Sequence, residues 1–526
     1  MKKLLAIICI IFINNIQATE FEVKESKEIK PDKISIPVEL VDTDDNITVY
    51  SKGTELNSVR GVVLLDKNLN TSQIIELPTK LTDRVNYIIW TGEQVIVLWE
   101  KKVKFDMELS YQTFDKTGRV TTPRTTLETF KNRYTPAFIN FNVEIIQSPD
   151  KEFSGYAINY SFVKSMKDSK GYNDEVLIVF NKKGKKLYTK KRDTGYNSDT
   201  DGYYFLNNNG GIVKLISQSN AVKVITTNIQ DGQIDSYKIP VSFSSNSYPL
   251  TYKIYYNKAD DTYNYVATTS NGKKGFNGEL AMKLDINQKS QISSSHILYT
   301  DEFLQEFSNS TTYRSDKVLL KDNSLNRYFK LRKPIYKKDG GYYFIKEFYQ
   351  MTTTQFYHKR ENAFNSNNIV MTDSPLDFSS KTKETSNILD FIVTNVDKDG
   401  KILWVKRIPK SQMTLRMEYG FFDAFSNNND LFLAYNEGDK NIDKPFNENF
   451  GKVNLVMGIV RPIVRKIDNN GNITTFDLSE QLDKRNVFAP FFSLNYVYDS
   501  DYFITYVKNK ANSATSPGKF IRISVK

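Results

Sequence analysis

Apolar residues in this chain gather in short runs of four to eight, each entered through a turn, and segments with helical periodicity longer than about ten residues are hard to find. Trp90-Thr91-Gly92-Glu93-Gln94 leads into the run 95–99, Asn209-Gly210-Gly211 into 212–216, and Lys338-Asp339-Gly340-Gly341 into 342–345. Asn428-Asn429-Asp430 and Asp499-Ser500-Asp501 open two more, at 431–435 and 502–506. Continuous apolar runs of this length describe strands covered on both faces, as inner strands packed between neighbouring sheets are. Enrichment in Tyr, Phe, Ile, Val and Thr favours the same reading.

A second pattern joins strands in pairs. Phe114-Asp115-Lys116-Thr117-Gly118, Phe180-Asn181-Lys182-Lys183-Gly184, Val396-Asp397-Lys398-Asp399-Gly400 and Ile467-Asp468-Asn469-Asn470-Gly471 each place an Asx three residues before a Gly and then begin a new strand. The Asx side chain bonds backbone two residues on, and the Gly takes the positive φ that closes a hairpin loop. Looser copies start at Asp66, Asn228 and Asp285, the first and last without the Gly. Turn positions 66, 115, 181, 231, 285, 397 and 468 are separated by 49, 66, 50, 54, 112 and 71 residues. Such steps fit four-stranded propeller blades, two hairpins to a blade. The long step predicts either a blade with a hidden turn or one large insertion.

The expected fold is therefore all-β, a propeller of seven or eight four-stranded blades in a single closed array over 19–526. Its ends should meet in one sealing blade, with the alternating stretches 33–40 and 519–525 as the two partners. The Thr-, Ser- and Asn-rich region 350–387 reads as an insertion projecting from the array. A transmembrane barrel would alternate too, but the inner runs do not, and the chain ends in Lys526 rather than an aromatic residue.

Composition refines this picture. Residues 1–18 read as a signal peptide: Lys2 and Lys3, an apolar stretch 4–13, then Ile16-Gln17-Ala18 as a cleavage site. Export to the periplasm, cell surface or outside is the expectation. The single cysteine, Cys9, falls inside that segment, so a mature chain would carry no thiol for a disulfide, a nucleophile or a metal. The formal charge is +11, with 25% charged residues, a pI near 9.1 and a mean hydropathy of −0.48. Basic residues cluster on one hairpin, Lys182, Lys183, Lys185, Lys186, Lys190, Lys191 and Arg192, the candidate binding surface for a protein or an acidic glycan of the cell envelope. Lys330, Arg332, Lys333, Lys337 and Lys338 form a second group, and export disfavours nucleic acid.

No catalytic signature stands out. His296 and His358 are the only histidines and fall in different periods, and no G-x-S-x-G, H-E-x-x-H or Walker spacing occurs. A carboxylate pair could still run glycan hydrolysis or lysis in a central pocket, with Glu93, Glu100, Asp301, Glu302, Glu347 and Glu418 as candidates. Asp397 to Trp404 resembles a sialidase Asp box superficially, but its Asp-x-x-Gly spacing reads as turn chemistry. Asn197-Ser198-Asp199-Thr200-Asp201-Gly202 resembles half a calcium loop, yet Asn208 stands where a bidentate Glu is needed. Neither a cofactor nor a metal is expected.

Lys338 to Tyr349, Phe391 to Trp404 and Lys406 to Gln412 resemble uncharacterised exported propeller-like proteins of Bacteroidota. The resemblance implies an envelope or extracellular location and brings no known activity. A non-enzymatic binding propeller is the reading these observations favour, with the carboxylate glycan hydrolase or lyase as the alternative.

Overall fold

The computed structural model describes residues 21–28, 36–42, 47–51, 59–66, 68–77, 83–103, 106–130, 140–163, 171–195, 202–241, 247–272, 274–308, 318–332, 334–357, 380–414, 422–448, 450–455, 458–482, 486–488, 502–509 and 518–526. The Asx turns predicted from sequence set its architecture. Gly118, Gly184, Gly400 and Gly471 all take φ between 71° and 83°. In each, the Gly N–H returns to the carbonyl of the Asx, as Gly118 N does to Asp115 O at 3.0 Å. The Asx side chain closes the loop from inside: Asp468 Oδ1 accepts from the N–H groups of Asn470 at 2.9 Å and Asn472 at 2.8 Å.

Each of these turns joins the third and fourth strands of a four-stranded antiparallel sheet, and so do the looser copies at Asp66, Asn228 and Asp285. Where the Gly is missing, Leu69 and Lys289 adopt the positive φ instead, at 64° and 54°. The Gly/Asn/Asp turns at 91–93, 207–211, 337–341 and 428–429 join first and second strands. Two hairpins make one blade.

Eight sheets follow in order along the chain, spanning 36–76, 83–130, 140–195, 203–240, 248–298, 329–414, 422–477 and 486–525. The first strands of successive sheets approach one another, so the first strand of each blade is the innermost. The chain is an eight-bladed β-propeller. The 112-residue step contains no hidden blade: Asp285 and Asp397 belong to the fifth and sixth blades, and the extra length is the connection between them plus a long hairpin within the sixth.

The eighth blade explains why seven third-to-fourth-strand turns serve eight sheets. Its fourth strand comes from the other end of the chain: Phe21–Glu25 pairs with Gly518–Val525, Phe21 opposite Val525 and Glu25 opposite Ile521. This corrects the expected N-terminal partner, 33–40, because Ile36–Asp42 forms the innermost strand of the first blade instead. Phe21 explains the choice. It lies buried edge-on against Phe432 and Phe476 of the seventh blade, fixing the strand's register over an apolar cluster with Val464 and Ile521. A further cluster of Val63, Leu65, Val487, Ile504, Tyr506 and Phe520 packs the eighth blade against the first.

Adjacent blades are also tied turn by turn. Thr91 of the second blade donates to Lys182 O in the third at 2.6 Å, and Lys190 of the third to Gly232 O in the fourth at 2.9 Å. Tyr237 of the fourth donates to Ile286 O in the fifth, Lys283 of the fifth to Lys398 O in the sixth, and Lys406 of the sixth to Gly471 O in the seventh. Past the sealing strand, Lys27 N donates to Asn70 Oδ1 in the first blade at 3.3 Å. These partners recur at the same third-to-fourth-strand turn, so the tight turns share one face of the propeller.

Candidate functional site

Antiparallel alternation sends every other connection to the opposite face. The links between second and third strands, and between one blade and the next, emerge there together. They include the connection 299–328, with the short helix Asp301–Gln305 capped by Thr300, and the 439–459 link within the seventh blade. The face of long connections is the one whose connecting lengths differ from blade to blade, which is where a rigid scaffold carries recognition.

The buried carboxylates Asp174, Glu175, Glu279, Glu347, Asp390, Asp423 and Glu437 all sit in the half of their blades nearest this face. Between the third and fourth blades, Glu175 receives Lys214 Nζ at 2.8 Å and Arg192 at 2.9 Å, together with the Tyr204 hydroxyl. Between the fifth and sixth, Glu279 holds Lys346, the Tyr299 hydroxyl and the Thr394 hydroxyl, and burial pushes the Lys346 ammonium pKa well below its ordinary value. In the sixth, Glu347 is clamped by Arg332 at 2.6 Å and Lys410 at 2.8 Å.

Lys410 lies over Phe391 and Tyr435, its ammonium 4.5 Å and 5.1 Å from the ring centres, which carries the charge pattern into the seventh blade. There Glu437 faces Arg465 at 3.5 Å, while the Arg465 guanidinium rests 4.8 Å from the Phe446 ring in the 439–459 link. Burial raises the Glu437 pKa against the opposing pull of Arg465. Asp390, the extra residue of a bulge in the third strand of the sixth blade, takes Arg407 at 3.1 Å.

Asp423 is the exception. It is the second residue of the innermost strand of the seventh blade, 2% exposed, with neither carboxylate oxygen in a well-formed hydrogen bond. Burial drives its pKa up to about 7, opposed only weakly by the Thr505 hydroxyl of the eighth blade.

The basic hairpin is divided by these contacts. Lys182 pairs with Glu152 at 3.1 Å and Glu93 at 3.9 Å, Lys190 holds the neighbouring turn, Lys191 reaches Asp174 at 3.2 Å, and Arg192 reaches Glu175. Lys183, Lys185 and Lys186 are exposed on the tight-turn face. Of the second group, Lys337 is buried against Asn395, Arg332 is half-buried against Glu347, Lys330 and Lys338 are exposed, and Lys333 lies outside the described residues.

The carboxylates singled out from sequence lie apart: Glu93 at a tight turn, Glu100 on the second strand of its blade, Asp301 and Glu302 opening the short helix, and Glu347 in the sixth blade. Glu418, His358 and 197–201 lie outside the described residues. His296 is half-buried, with Nε2 3.0 Å from Thr269 Oγ1, and burial lowers its pKa. Among the described residues, no three His, Cys, Asp or Glu gather as a metal site. Trp90 and Trp99 are buried in the core, and Trp404 donates to Asn469 O at 2.8 Å. Sequence reasoning missed Glu279, Asp423 and Glu437. Their signal is a charge set into an apolar strand, as in Gly278-Glu279-Leu280 or Tyr435-Asn436-Glu437.

No family model matches the chain, and no match is found among curated proteins. Among solved structures it is similar to prolyl oligopeptidase B from Galerina marginata, at 10% identity and a TM-score of 0.36, over 94% of this chain and 55% of that one. It is likewise similar to the β-propeller domain of the Trilobed protease from Pyrococcus furiosus, at 8% and 0.31, over 84% and 93%. Polysaccharide lyase Uly1 stands at 10% and 0.32, over 86% and 93%. The chain thus spans about half the length of the peptidase. The propeller assignment itself rests on the eight sheets described above.

Proposed function

We infer that this protein is an exported, non-enzymatic propeller that binds a protein or glycan of the cell envelope through its face of long connections. One observation carries the reading. The tight turns are short and tied from blade to blade by hydrogen bonds, whereas the connections of variable length share the other face. Beneath that face the buried ion pairs between blades hold the scaffold rigid, which lowers the ordering cost of binding. The exposed Lys183, Lys185 and Lys186 supply positive charge on the far side and would draw an acidic envelope ligand only through long-range attraction.

Lysine-specific crosslinking in intact cells tests the reading, because both faces carry exposed lysines. Crosslinks to a partner are expected at Lys274, Lys321, Lys330 and Lys440. A pattern confined to Lys116, Lys183 and Lys398 would place the partner on the tight-turn face and overturn the assignment.

A carboxylate glycan hydrolase or lyase is the second reading, and Asp423 is what favours it. A buried carboxyl with a pKa of about 7 on an innermost strand suits a general acid. Turnover of an envelope polysaccharide that disappears in Asp423→Asn would support this alternative, and turnover that survives the substitution would remove Asp423 from it.

A further inference from the structure

The hairpin of the sixth blade runs on past the sheet that holds it. Tyr342–Tyr357 pairs with Ser380–Val396 along its whole length, from Tyr342 opposite Val396 to Tyr357 opposite Ser380. On its other side the partner ends early, because Phe329–Leu331 covers only residues 346–348. The last backbone bond on that side is Tyr349 N to Tyr328 O at 3.0 Å. Residues 350–357 therefore form one strand of a ribbon on the long-connection face, with an outer edge that has no strand beside it among the described residues.

The direction of each backbone group on that edge follows from the strand's alternation. Ile345 O accepts from Arg332 N at 2.9 Å, and Tyr349 N donates to Tyr328, so both residues direct their backbone toward the first strand. The same phase turns the N–H and C=O of Met351, Thr353, Gln355 and Tyr357 outward, while those of Thr352, Thr354 and Phe356 face the hairpin partner.

This edge also lacks the devices that stop strands from pairing. In a chain with 25% charged residues, Gln350-Met351-Thr352-Thr353-Thr354-Gln355-Phe356-Tyr357 carries neither charge nor proline. The other edge of the ribbon has Lys381, Lys383 and Glu384, and outer strands elsewhere carry Pro123 with Arg124 or Lys190 with Lys191.

We propose that two copies of this chain pair edge to edge through residues 351–355, antiparallel about a two-fold axis at Thr353. Met351 then lies opposite Gln355, and Thr353 opposite its own copy, with no like charges facing across the axis. The outward groups of three residues per copy form about six hydrogen bonds. The net charge of +11 opposes association weakly, since the ribbon extends roughly 23 Å over its seven residues and screening acts over about 8 Å at physiological salt. The small area of one strand pair makes the dimer weak and concentration-dependent. The pairing is independent of whatever partner the face binds.

Sedimentation of the full chain over a roughly hundredfold range of concentration tests this, since occupancy of a weak dimer changes over that span. The wild type is expected to move from monomer to dimer. Thr353→Pro removes an outward N–H and spares the hairpin bonds, so it should remain monomeric with an unchanged melting temperature. Thr353→Lys keeps the backbone donor and sets two ammonium groups across the axis; it should weaken the dimer at least about tenfold and recover in high salt. Hydrogen exchange should show protection of Met351, Thr353 and Gln355 rising with dimer, whereas Thr352 and Thr354 are protected in the monomer. A wild type that stays monomeric throughout, or a Thr353→Lys variant that dimerises like it, would overturn the proposal.

Discussion

At the tight-turn end of each blade the bonds that shape the backbone join near neighbours: Asp397 Oδ1 accepts from Asp399 N and Lys401 N, two and four residues on. At the long-connection end the decisive partners are far apart in sequence, 63 residues for Glu347 with Lys410 and 39 for Glu175 with Lys214. The first kind of structure forms as soon as its own segment turns. The second exists only once distant strands of a blade have paired or neighbouring blades have docked, so the two ends of one blade should respond differently to substitution.

The largest difference is expected at a buried pair. Lys410→Met leaves Glu347 with only Arg332 and a full charge in a site that is 0% exposed. Removing one partner of a buried pair typically costs about 3–5 kcal/mol, far more than the pair contributes relative to an apolar replacement. Chemical denaturation should show that loss for Lys410→Met, and a smaller one for the double substitution Glu347→Leu with Lys410→Met. Equal losses in the two variants would mean that the stranded charge is not what matters.

Asp423 gives the long-connection end a pH signature of the opposite sign to an ion-paired carboxylate. Its folded pKa of about 7 lies above the 3.8 of an ordinary aspartate, so between those limits the unfolded chain has lost a proton that the folded one keeps. Stability therefore falls as pH rises from about 4 to 7, by up to about 4 kcal/mol in all, and stays low above that. Among the described residues, no charged group pulls on Asp423. Lys466 pairs with Asp430, Arg461 with Asp439 and Asp477, Lys519 with Glu25, and Arg465 with Glu437 across the other face of the sheet. The difference in unfolding free energy between wild type and Asp423→Asn, followed against pH, should grow across that window in favour of the variant. A flat difference would show that the carboxyl ionises as freely as in water.

The tight-turn end should yield less. At Gly118 a Cβ would meet nothing nearer than 3.5 Å, so Gly118→Ala tests backbone conformation with little steric clash. Holding Ala at φ +81° costs roughly 1–2 kcal/mol, and an unchanged denaturation midpoint would show that the loop relaxes to another turn.

This division also marks what could be read from the chain alone. An Asx three residues before a Gly declares a turn through local chemistry, and seven such turns, including the degenerate ones at Asp66 and Asp285, revealed the blade rhythm. The sealing strand was harder. Residues 21–25 and 33–40 both alternate, and what separates them is the pocket that Phe432 and Phe476 offer Phe21, a property of the assembled seventh blade. Region 350–387 read as an insertion because Thr, Ser and Asn are poor core residues, yet its flanks 350–357 and 380–387 are paired strand. Glu279 and Lys346 carry no mark of their partnership until the fifth and sixth blades meet.

The smallest effect belongs to the three exposed lysines of the third blade, and it separates solubility from recognition. Lys183, Lys185 and Lys186 lie at or just after the Asn181 turn, whose closing bond runs from Lys185 N to Asn181 Oδ1 at 2.9 Å and uses no lysine side chain. Replacing all three with Gln should change stability by less than about 0.5 kcal/mol per site, as exposed substitutions do. Lys190, Lys191 and Arg192 must be left in place, because they tie the third blade to the fourth and to its own carboxylates. If these lysines draw an acidic ligand toward the propeller, the triple variant associates more slowly with heparin as a polyanionic probe, and the dependence of that rate on salt flattens. An unchanged rate and an unchanged salt slope would leave them the role of keeping a basic particle in solution.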